Sequence, residues 1–167
     1  MTTMPDPAQP APDAVPGSDG ETPSPRPSSP CNCFAIRSAA RQISQFYDRH
    51  LAGTGLRTTQ FSVLAQLSRA GPLAINELAV RMAMDRTTTG RALRPLEREG
   101  LVVIGPGRDG RTRALSLTEA GRARLAEAVP FWREAQAAFE ARLGREEAAA
   151  LRAALKRVRD LESAPTT

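Results

Sequence analysis

The stretch from Ala83 to Leu117, AMDRTTTGRALRPLEREGLVVIGPGRDGRTRALSL, restricts the possible folds more than any other part of the chain. Asp85 suits an N-cap, the residues behind it keep helical spacing to about Glu99, and Gly100 stands where a left-handed residue closes a helix. At about 100° per residue, Thr87, Arg91, Arg94 and Arg98 share one narrow stripe, with Thr89, Leu93 and Leu96 opposite. One face is made to pack; the other presents guanidinium groups and a hydroxyl.

Beyond Gly100, the run Leu101 to Ile104 is too short for a helix and β-branched enough for a strand, and Ala114 to Leu117 can return beside it. The residues between them, Gly105 to Arg113, form a turn carrying Arg108, Arg111 and Arg113. A helix sized for the major groove, followed by a basic loop that reaches the next minor groove, reads as a winged helix for duplex DNA. An arginine stripe alone is more often a solvated face. The wing arginines, the helix upstream and the sign of the charge together favour nucleic acid.

That sign is stronger in the folded part than the total suggests. Residues 1–30 hold nine of the fourteen prolines and almost no large apolar side chain, so they are expected to form a disordered tail. The tail carries Asp6, Asp13, Asp19 and Glu21 against Arg26, a net −3, which leaves +8 on the rest of a chain whose total is +5. Lys156 is the sole lysine. Arginine suits bidentate contacts to phosphate and guanine. Acidic residues interleaved on the later helices, and the lack of one broad basic helix face, argue against a membrane surface. No stretch approaches eighteen apolar residues and the N-terminus lacks a signal pattern, so a cytoplasmic protein with no membrane partner is expected.

Upstream, Ile36, Ala39, Ala40, Ile43, Phe46, Tyr47 and Leu51 recur with helical period from Cys33 to Leu51. The run Ala52 to Gly55 breaks that helix. Thr58 or Thr59 is expected to cap a second, with Phe61, Leu64 and Leu67 inward, ending at Gly71-Pro72. Leu73 to Ala83 reads as a short helix burying Ile75, Leu78, Ala79 and Met82, with Asn76, Glu77 and Arg81 outward. So short a link to the Asp85 helix makes a helix-turn-helix.

Downstream, a long helix from Thr118 through Leu143 carries Leu125, Val129, Trp132, Phe139 and Leu143 near heptad spacing, with a kink expected at Pro130. A last helix, about Arg145 to Leu161, is expected to bury Ala148, Leu151, Leu155 and Val158. A small winged helix does not need this much extra helix, so the first and last helices are expected to pair with a second copy. A homodimer would set two reading helices about 34 Å apart and call for a pseudo-palindromic site in double-stranded DNA.

The fold class is therefore mainly α with a small β-wing. Residues 31–57 form an N-terminal dimerisation helix, 58–117 the winged helix-turn-helix, and 118–167 the C-terminal dimerisation helices. Enzyme activity is not expected: His50 is the only histidine, no glycine-rich phosphate loop appears, and no acids cluster on one buried face. No cofactor is implied. His50 reads as a favourable charge at a helix C-terminus. Cys31 and Cys33 are candidate sensor thiols with three readings: inert, redox-responsive, or ligands for a soft metal once two chains combine. A thiol- or metal-handling protein on a winged scaffold is the alternative function.

The order INELAVRM, MDRTTTGRALRPLEREGLV, GRDGRTR, LSLTEAG and a long helical tail resembles the multiple-antibiotic-resistance regulator (MarR) family, over Cys33 to Leu161 and most strongly over Leu78 to Gly121. The resemblance implies a homodimeric regulator that usually represses promoters and leaves DNA when a small ligand binds or a cysteine is oxidised. It assigns base and phosphate contacts to Thr87, Thr88 and Arg91, with Arg86 and Arg94 as neighbours. The family's Asp-x-Arg wing feature falls on Asp109 and Arg111. A small aromatic ligand near Arg41, Phe46 and Tyr47 is implied in the same way. Two residues depart from the pattern. Thr89 fills a slot that is usually aliphatic, and Pro95 interrupts the reading helix, which bears on base contact by Arg94 and Arg98.

Overall fold

Local capping signals decide most of the element boundaries. A computed structural model describes residues 30–107 and 113–161. In chain order these form α1 (Asn32–Leu51), a single 3-10 turn (Ala52–Thr54), α2 (Thr58–Ala70), α3 (Ile75–Met82), α4 (Arg86–Arg98), β1 (Val102–Pro106), β2 (Arg113–Leu117), α5 (Glu119–Leu143) and α6 (Arg145–Arg159). The expected tail, apart from Pro30, lies outside the described residues, as do Arg108, Asp109 and Arg111.

Asp85 caps α4, and Gly100 closes it in the left-handed region at φ 67°. The Gly100 N–H donates to the Glu97 carbonyl and the Leu101 N–H to that of Leu96, satisfying two carbonyls at the helix end. Thr118, read from sequence as the first residue of the long helix, is its N-cap, the hydroxyl accepting the Gly121 N–H. Its hydroxyl also donates to the Gly100 carbonyl at 2.6 Å, tying the start of α5 to the end of α4.

Several boundaries differ from the sequence reading: Gly105, Pro106 and Arg113, read as turn, pair within the strands of the wing. Neither Thr58 nor Thr59 caps α2. Arg57 takes the cap position, its N–H donating to the Gln60 side chain, while Asp48 of α1 accepts both the N–H and the hydroxyl of Thr58. α3 begins at Ile75 rather than Leu73, with Glu77 reaching back to the Ala74 N–H. Leu73 instead exchanges two backbone hydrogen bonds with Leu115, adding a short third element beside the wing.

The wing pairs Val102 with Leu117, Ile104 with Leu115 and Pro106 with Arg113 in antiparallel register. Its inner face joins a core around Leu51, Leu64, Leu78, Leu93, Leu96 and Leu115. Phe61 and Trp132 stack at 5.8 Å and 15°, linking α2 to α5. Ile75 and Met82, expected to be buried, are only half-buried at the edge of this core. Packing along α5 falls on Gly121, Ala128 and Ala135, seven residues apart, with Leu125, Val129 and Trp132 half-buried beside them. The helix runs unbroken through Pro130.

The expectation for α6 is only partly met. Ala148 is buried, but Leu151, Leu155 and Val158 remain about 40% exposed among the described residues. On α1, Phe34 and Ile36 are likewise exposed, and so is Leu143 at the end of α5.

Candidate nucleic-acid interface

The helix-turn-helix is held by a strained turn. Ala83 adopts φ 52°, ψ 46°, a left-handed conformation that disfavours any residue bearing a Cβ. Its N–H donates to the Val80 carbonyl and that of Met84 to Ala79, which closes α3 and turns the chain into Asp85.

Asp85 then organises the first turn of α4. One carboxylate oxygen accepts the Thr88 N–H at 2.8 Å and the other the Thr88 hydroxyl at 2.6 Å. The Thr88 hydroxyl, followed by backbone N–H groups, holds the Asp85 carboxyl below its ordinary range. Thr88 thus serves the cap, and its hydroxyl proton is committed within the protein. Thr89 is fully buried, with its hydroxyl donating to the Asp85 carbonyl at 2.9 Å. A polar side chain can therefore stand at that packed position with its donor satisfied.

Buried Thr89, Leu93 and Leu96 set the rotation of α4, leaving Arg86, Thr87, Arg91, Arg94 and Arg98 exposed. Among the described residues, none of these four arginines pairs with a carboxylate within 4 Å. A surface hollow beside the helix is lined by Arg91, Arg94, Pro95, Glu97 and Arg98. α4 continues through Pro95 to Arg98, so all these side chains belong to one helix. Arg113 is exposed at the first position of β2, opposite Pro106 of β1.

The remaining candidates lie elsewhere. Cys31 caps α1, its Sγ accepting the Phe34 N–H at 3.4 Å, and both it and Cys33 are exposed. Among the described residues no three His, Cys, Asp or Glu side chains gather as a metal site, and no helix is long and apolar enough to cross a membrane. Near the α1–α5 junction the Tyr47 hydroxyl donates to the Gln136 side chain. Burial, then Glu140, raises the Tyr47 pKa against an opposing effect of Arg152. The Phe46 ring lies 4.9 Å from His50 and 5.5 Å from the Arg142 guanidinium, while Arg41 is exposed. Sequence reasoning missed the Ala83 turn and the side chain of Arg124, which reaches Thr54 and Glu99. The partners of Arg124 are remote in sequence, and no local pattern marks them.

Comparison with known proteins gives a consistent result. Residues 54–112 match the model of the MarR family. A helix-turn-helix-type transcriptional regulator of Bacillus cereus is 36% identical over 98 residues, 59% of this chain and 65% of the relative, so the match spans just under two thirds of that relative's length. The Mycobacterium tuberculosis transcriptional regulator MosR is similar in structure, with a TM-score of 0.64 and 41% identity over 76% of this chain and 96% of MosR. MosR in complex with DNA gives a TM-score of 0.64 at 42% identity, over 78% of this chain and 99% of that one.

Proposed function

Given that the chain belongs to the MarR family, we propose that it is a dimeric, sequence-specific transcriptional regulator that binds pseudo-palindromic duplex DNA through α4 and the wing. One observation carries the reading: Thr87, Arg91, Arg94 and Arg98 stand exposed on one face of a helix whose other face is locked into the core. The relative MosR, solved with DNA, supports carrying that partner over. Arg86, Thr87 and Arg91 are assigned to base edges and nearby phosphates. Thr88 contributes through the acceptor side of its hydroxyl, its two donors being held by Asp85. The wing arginines Arg108, Arg111 and Arg113 are assigned to the minor groove, with Asp109 holding Arg111.

The dimer is supported by apolar side chains that one chain leaves uncovered: Phe34 and Ile36 on α1, Leu143 on α5, and Leu151, Leu155 and Val158 on α6. Residues 58–117 are the DNA-binding part, and the flanking helices hold the dimer. Acting as a repressor, the protein is released by a small aromatic ligand at the α1–α5 junction or by thiol oxidation at Cys31 and Cys33. The second route is favoured by the exposure of both sulfurs, which lie two residues apart at the start of α1.

A mobility-shift titration on DNA upstream of its own gene tests the function. Arg91→Ala should cost about 1–3 kcal/mol on the bound site. Equal binding to all sequences, or full affinity in the variant, would contradict it. Thiol titration and metal analysis of the same protein decide whether Cys31 and Cys33 act as a sensor: ordinary thiol reactivity and absence of metal would remove that route.

A further inference from the structure

We propose that Arg124 is a positioning residue for DNA binding, clamping the rear of the reading helix α4 onto the long helix α5. The inference rests on the reading of the chain as a duplex-DNA binder. Arg124 lies one helical turn beyond Gly121, and three segments converge on its guanidinium. Nη1 donates to the Thr54 carbonyl at 3.2 Å and lies 3.9 Å from Glu99 Oε2, while Nε lies 3.6 Å from Glu127 Oε2. Each partner gains from a cation there. Thr54 ends the 3-10 turn after α1, where carbonyls lack intrahelical partners. Glu99 is the C-terminal cap residue of α4, where a carboxylate opposes the helix dipole until a positive group offsets it. The planar fork of arginine can address acceptors in several directions, which a lysine ammonium on its flexible stem does less well.

Two successive turns of α5 therefore hold the end of α4. Thr118 and Gly121 meet the backbone of Gly100 and Leu101, and Arg124 meets the side chain of Glu99. Since α5 ends in Leu143, one of the apolar positions assigned to the dimer, and leads directly into α6, which holds three more, this clamp fixes where each reading helix stands relative to its mate. Losing it leaves the arginine stripe intact but loosens the distance between the two stripes. The fork is directed at protein acceptors, so its loss removes no phosphate contact.

The test uses the full chain and duplexes from the DNA upstream of its own gene, with the natural half-site spacing and with one or two base pairs added or removed, titrated across salt concentrations. Arg124→Ala and Glu99→Gln should each weaken binding about three- to tenfold, flatten the spacing preference and leave the salt slope unchanged. The double variant should be no worse than either single one, and Arg124→Lys should recover part or all of the affinity. Unchanged affinity and spacing preference in both single variants, additive losses in the double, no recovery by lysine, or a slope reduced by about one would each overturn the proposal. If Arg124→Ala does not fold, Glu99→Gln decides by the same criteria. Failure of the parent protein to bind any duplex would overturn the DNA reading itself, and would be evident before any variant is made.

Discussion

Gly121 rests its backbone on the carbonyl of Leu101 so closely that a Cβ could not be placed there, and the Leu117 side chain closes the remaining space. The contact joins the first turn of α5 to the residue leading from α4 into the wing, so reading helix, wing and long helix meet at one point. Gly121→Ala should force these apart and destabilise the protein by about 1–3 kcal/mol, the usual effect of overpacking. Urea unfolding checks this: a lower midpoint at unchanged slope is expected, and an unchanged midpoint would show that the contact yields freely.

Ala83 makes the opposite prediction. It occupies the left-handed region that glycine enters without steric cost. Its side chain is exposed, so little packing is lost by removing it. Ala83→Gly should therefore leave stability unchanged or raise it by up to about 1 kcal/mol, whereas glycine placed inside a helix lowers it by a similar amount. Thermal unfolding of the two proteins side by side decides the sign.

Acid should loosen the fold at two places. Burial pushes the Asp48 carboxyl up, but hydrogen bonds from the Thr58 N–H and hydroxyl and from Arg57 outweigh it, leaving a lowered pKa. Asp85 is lowered by Thr88. A carboxyl whose folded pKa lies below its unfolded value adds stability above the ordinary range near about 4 and loses it as pH falls through the lowered value. Stability from these two groups should thus be flat above about pH 5 and fall below pH 4. Asp48→Asn and Asp85→Asn should each reduce the acid-side slope measured by unfolding at a series of pH values. An unaltered slope in both variants would remove these carboxyls as its source.

The uncovered leucines of α6 predict an assembly defect without a folding defect. Leu151→Glu combined with Leu155→Glu places charges on a face that a single chain exposes. Sedimentation at micromolar protein should then change from dimer to monomer while helical content is retained. A dimer that survives both charges would assign the interface elsewhere.

Much of α4 was legible because its signals are local. Asp85 and Gly100 mark the ends, and the alternation of Thr89, Leu93 and Leu96 with the arginines marks the two faces. The pairing of Leu73 with Leu115 and the capture of Thr58 by Asp48 depend on segments distant in sequence, and neither leaves a periodic trace. α6 shows the boundary between the two cases: spacing identifies its apolar side but not what covers it. Thr89 looks misplaced until the Asp85 carbonyl is seen to accept its hydroxyl. The wing-tip residues Arg108, Asp109 and Arg111 carry the sequence expectation alone.

The most direct test of the account compares the parent protein with Arg91→Ala on two duplexes, the DNA upstream of its own gene and a shuffled sequence, over a range of salt concentrations. The parent should prefer its own site by at least about 10³-fold at physiological salt, and Arg91→Ala should lose about tenfold or more on that site while changing little on the shuffled one. Equal affinity of the parent for both duplexes, or an Arg91→Ala variant that keeps the full preference, would contradict the assignment of α4 as the reading helix.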